Sequence, residues 1–189
     1  MKKSSIFPFA LSLLVLAFSV AINAQDHGCP RGAATPVLKQ AVFPKAKFRL
    51  AGNNGVETLS LGGGERLIVK TWGCEYYVLT FRFETSRYRH STRDLEYWFR
   101  NAVGRMNEVL PGVDAQIDIE KAVRKLKSYI ETQRKTKYRN LKLGEEIMFG
   151  GDELDPNGDD ITQNVSVENI QKLKNGRYAL DISFAAGPL

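Results

Sequence analysis

Residues 74–84 alternate without interruption: Tyr77, Leu79, Phe81 and Phe83 fall on one side of an extended chain, Tyr76, Val78, Thr80 and Arg82 on the other. Successive side chains of a strand point to opposite faces, so the first set forms one apolar stripe and predicts a sheet covered on that face. The period then changes. Leu95, Trp98, Phe99, Ala102, Val103, Met106 and Leu110 recur at helical spacing, with Ser91 or Thr92 able to cap the helix and Pro111-Gly112 to stop it. A second helix is expected over 118–133, where Ile119, Ala122, Val123, Leu126, Tyr129 and Ile130 share a stripe. A sheet and two helices with one apolar face each bury those faces most simply as two layers.

The flanking segments read as further strands. Turn residues Asn53-Asn54-Gly55 and Gly62-Gly63-Gly64 divide strands at 47–51, 56–61 and 66–72, which lead into the long strand as a meander. Beyond the helices come a short strand at 146–149 and two longer ones at 164–173 and 177–184. Asn175-Gly176 between the last two is the sequence of a type I′ hairpin turn. The order ββββ-αα-βββ predicts an α+β fold, a two-layer sandwich of a mostly antiparallel sheet with both helices on one face.

Three unequal regions are expected along the chain. Lys2 and Lys3, an apolar run over 6–22 and small residues before Gln25 have the layout of a cleavable signal peptide over 1–24, with cleavage after Ala24 or, alternatively, Ala21. Residues 25–45 carry Pro30, Pro36 and Pro44 with little periodicity and read as an extended arm. Residues 46–189 read as a single α+β domain, and the mature chain of about 165 residues suffices for one core. The expected location is the periplasm or the exterior, with no transmembrane segment in the mature chain. Loss of Lys2 and Lys3 lowers the net charge from +6 to +4, which points to no class of partner by itself. An even number of cysteines in an oxidising compartment predicts that Cys29 and Cys74 pair.

Chemistry is harder to place. His27 and His90 are the only histidines, and neither stands in a nucleophile, elbow or metalloprotease motif. The acidic loop around Asp155, Asn157 and Asp159 has the alternate spacing of a calcium loop, but Asp160 stands where that pattern needs glycine and Ser166 where it needs glutamate, so calcium is a weak expectation and no other cofactor is indicated. Residues 121–142 carry Lys121, Arg124, Lys125, Lys127, Arg134, Lys135, Lys137, Arg139 and Lys142, a candidate anion-binding stretch. Outside the cytoplasm its partners would be an envelope protein or an anionic glycolipid and not nucleic acid. Tyr76 and Tyr97 fall opposite the predicted core stripes and are candidate binding-surface residues. These features favour an exported non-catalytic binding or inhibitory module. An envelope-associated structural protein docking on an anionic surface, or an exported carboxylate-dependent hydrolase, are the alternatives.

Overall fold

The computed structural model describes residues 29–88, 90–150 and 161–188. Its strands are β1 Lys47–Ala51, β2 Asn54–Gly62, β3 Glu65–Trp72 and β4 Tyr77–Thr85, then β5 Ile147–Gly150, β6 Thr162–Lys172 and β7 Tyr178–Gly187. Between the two groups lie helices α1 Leu95–Val109 and α2 Ile119–Thr132. The seven strands form one antiparallel sheet in the order β1-β2-β3-β4-β7-β6-β5, so the expected α+β sandwich is the observed one.

Local chemistry fixes the element ends. The Asp94 carboxylate accepts the Tyr97 amide at 3.2 Å and starts α1, three residues after the expected Ser91. The Ser91 carbonyl instead accepts the Trp98 indole N–H at 2.9 Å. Asp118 caps α2 by accepting the Lys121 amide at 2.8 Å. The β6–β7 hairpin departs from the type I′ expectation: Leu173 donates to the Arg177 carbonyl across a three-residue loop, and only Gly176 has positive φ there. That is the geometry of a type I turn closed by a left-handed glycine. A two-residue loop with positive φ at both centres occurs at Gly63-Gly64, where two glycines meet the requirement without strain.

The core lies between the sheet and the helices. Leu79, Phe81 and Phe83 of β4 meet Trp98, Phe99 and Met106 of α1 and Leu126 of α2, all fully buried, and Phe81 and Phe184 pack edge to face at 5.6 Å. Each such side chain stabilises the fold by about 1.5 to 3 kcal/mol through burial. The arm belongs to this core. Ala34, Val37 and Leu38 are buried, Leu38 bridges to Val113, and the Val37 and Leu38 amides donate to the Glu57 carboxylate at 2.7 and 3.1 Å. The Arg31 side chain donates to the carbonyls of Gly73 and Asn53, and Cys29 is disulfide-bonded to Cys74, as the cysteine count predicts. No helix among the described residues is long and apolar enough to cross a membrane.

Candidate functional site

Two helices cover one face of a seven-stranded sheet, and the other face carries the alternate residues of every strand. Register aligns these residues into rows that cross the strands. One row runs Trp72 (β3), Val78 (β4), Ala185 (β7), Asn164 (β6) and Met148 (β5). Beside it runs Thr80, Ser183 and Ser166. Their short side chains make a low floor between taller walls, leaving an open trough of about 1040 Å³.

Beyond the lining residue Asp181, on the same face, stands an ionic network. Arg82 donates to both Asp181 oxygens at 2.9 and 3.1 Å and to Gln171 at 3.3 Å, and its Nε lies 3.4 Å from Glu84. Arg66 adds a second guanidinium 3.1 Å from Glu84. Burial pushes the Glu84 carboxyl up, but the hydrogen bonds and charges of Arg66 and Arg82 outweigh it and hold the group below its ordinary value. The opposite end carries Trp72 and Tyr76, 47 % and 46 % exposed. Trp72 is fixed by its indole N–H, which donates to Thr80 Oγ1 at 3.0 Å, and Thr80 shares a further 3.0 Å hydrogen bond with Ser183. The Tyr76 ring lies against the backbone of Gly187, where a Cβ would come within 2.5 Å of Cδ1. Only glycine allows that approach.

Polar groups complete the lining. The Ser166 hydroxyl donates to Glu168, the Thr162 hydroxyl donates to the Gly187 carbonyl at 2.6 Å, and Asn164 adds an amide. Glu75, Glu146, Glu168 and Asp181 are the charged residues of the described lining, and none of the lining residues is cationic. Asp181 is neutralised by Arg82. The site therefore offers flat aromatic faces, hydrogen-bonding groups and an excess of negative charge. Its hydroxyls face one another and a carboxylate, whereas His90, a base that could activate one, stacks on Tyr97 at 3.8 Å in the helical layer.

The residues singled out by sequence are dispersed. Tyr76 stands at the trough, but Tyr97 does not join it: Tyr97 packs edge-on against Tyr88 and Trp98 beside α1, in the other layer. Helical position places it off the core stripe; of the rings that cover it, Trp98 lies on that stripe, whereas Tyr88 comes from a loop the stripe does not reveal. Lys121, Arg124, Lys125 and Lys127 are exposed along α2, and Arg134, Lys135, Lys137 and Arg139 are exposed after it, also in the helical layer. Arg124 is engaged by Glu120. Asp155, Asn157 and Asp159 lie outside the described residues, among which no cluster of three metal-binding side chains occurs. The lining residues Trp72, Thr80, Ser166 and Ser183 were not expected, although the residues alternating with the core stripe are the signal that locates them. No family model, curated protein or solved structure matches the chain.

Proposed function

We propose that the protein is an exported, non-catalytic binding module that holds its ligand in the trough on the helix-free face of the sheet. The observation that carries this reading is the trough itself: a register-aligned hollow, floored by short side chains and bordered by two exposed aromatic rings, of which Trp72 is held by its indole hydrogen bond. Concave sites with a few convergent polar groups are where proteins bind ligands. Export rests on the signal-peptide layout and agrees with the Cys29–Cys74 disulfide.

Fluorescence tests the site directly, because Trp98 is fully buried and Trp72 is the tryptophan a trough ligand touches. Soluble fractions of envelope saccharides and peptides are titrated against the mature protein. A ligand is expected to perturb Trp72 emission, to raise Tm, and to lose both effects in Ser183→Arg, which fills the trough. Lys125→Glu, in the other layer, should bind normally. A ligand retained by Ser183→Arg, or chemically changed by the wild type, would overturn the proposal.

A further inference from the structure

We infer that the ligand of the trough is a linear oligosaccharide free of acidic groups, an inference that rests on the trough being the binding site. Length is the first argument. From Trp72 on β3 to Met148 on β5 the floor crosses four strand spacings, about 19 Å, and it is open along that path. A short chain of small rigid units fills such a track better than one compact molecule.

The second argument is the source of hydrogen bonds. Four of the five strands under the trough, β3, β4, β7 and β6, are internal to the sheet, so their backbone groups are consumed by neighbouring strands. A peptide binding by strand addition needs an unpaired edge, which along this floor only β5, at its far end, provides. Recognition falls to side chains: Thr80, Ser183, Ser166, Thr162, Asn164 and Glu168 offer hydroxyl, amide and carboxylate groups. These match a ligand carrying many hydroxyls, each both donor and acceptor. An acyl chain would leave the remaining donor and acceptor capacity of these groups unused.

Aromatic faces and charge complete the assignment. Trp72 presents an exposed ring held by its indole hydrogen bond and Tyr76 one that lies against Gly187, and both are open to the C–H face of a sugar. Glu75, Glu146 and Glu168 find no cation among the described lining residues. They repel carboxylated, sulfated or phosphorylated glycans and favour neutral or amine-bearing ones.

Four probes of similar length separate the possibilities: tetramers of N-acetylglucosamine, glucosamine and galacturonic acid, and tetralysine, each titrated against the mature protein by calorimetry with Trp72 emission followed in parallel. The two non-acidic saccharides are expected to bind, the glucosamine tetramer more weakly as salt rises, with the galacturonate tetramer at least about tenfold weaker. Trp72→Ala should lose about tenfold for both, and Trp72→Phe, which keeps an aromatic face, should retain most of the affinity. Galacturonate binding as tight as the neutral tetramer, or no saccharide binding at millimolar concentration, overturns the inference. Tetralysine as the one probe that perturbs Trp72 overturns the sugar class and leaves the trough as the site. A saccharide bound equally well by Ser183→Arg overturns the trough itself.

Discussion

Glu65 and Arg105, each 1 % exposed, form an ion pair of 3.0 Å between the start of β3 and the middle of α1. Glu65 also accepts from Thr85 and faces Arg87 at 2.9 Å, and Arg105 lies 5.3 Å above the Phe83 ring. Removing one partner of a buried pair leaves an uncompensated charge, so Arg105→Met should destabilise by about 3 kcal/mol in urea melts, Arg87 sparing part of a larger loss. Glu65→Leu combined with Arg105→Met should recover much of it, since the two sites are coupled. Sequence hides this pair: Glu65 follows three glycines and reads as a turn residue, and Arg105 falls between Ala102 and Met106 as a gap in an apolar stripe. Glu57 is a second buried carboxylate. Burial pushes its carboxyl above the ordinary value, exceeding the opposite pull of the Val37 and Leu38 amides. The folded state therefore holds this proton more tightly than the unfolded chain, and its contribution to stability is present in acid and lost as pH rises through the raised value. Glu57→Gln has no such titration. The unfolding free energy of the wild type should fall relative to that variant as pH rises above 4.5, in paired denaturant melts across the acid range.

At the level of elements, strand alternation and helical spacing carried most of the information. The two-layer order was legible because Leu79, Phe81 and Phe83 face helices whose apolar stripes have one place to go. The trough was not legible, because short residues such as Ser166, Ser183 and Ala185 resemble an ordinary wet face until register sets them side by side. The burial of the arm escaped for a related reason: Val37 and Leu38 are held by Glu57 and Val113, contacts too distant in sequence to leave a period. The basic segment after α2 keeps its candidacy as an anion-binding element. If it docks on anionic lipid, each residue near the surface contributes roughly 1 kcal/mol. Reversing Arg134, Lys135 and Arg139 to glutamate should then abolish co-sedimentation with anionic vesicles, leave the melting curve near wild type, and spare the trough in the opposite layer. Lys137 is a poor choice for that experiment, because it caps a turn at φ 52° and a substitution there would mix charge with backbone effects. Absence of vesicle binding by the wild type at low salt would remove the candidacy.

For the whole molecule, the disulfide and the arm act as one fastening. The bond spans 45 residues, and loop-closure entropy assigns a link of that length about 4 kcal/mol. Because Arg31, Ala34 and the Glu57 hydrogen bonds hold the same arm, Cys29→Ser with Cys74→Ser should lower stability without unfolding the domain; Tm and near-ultraviolet circular dichroism measure both effects. Intact mass of the exported product should begin near Gln25 and lack free thiols. The position of β7 bears on how such a product is made. Tyr178–Gly187 lies between β4 and β6, so it alone joins the meander β1–β4 to the pair β5–β6. A chain threaded through a narrow pore with its N-terminus leading holds two unjoined half-sheets until this strand emerges. The fold thus carries its own delay: in any chain delivered N-terminus first, the segment that locks the two half-sheets together is the last strand to arrive.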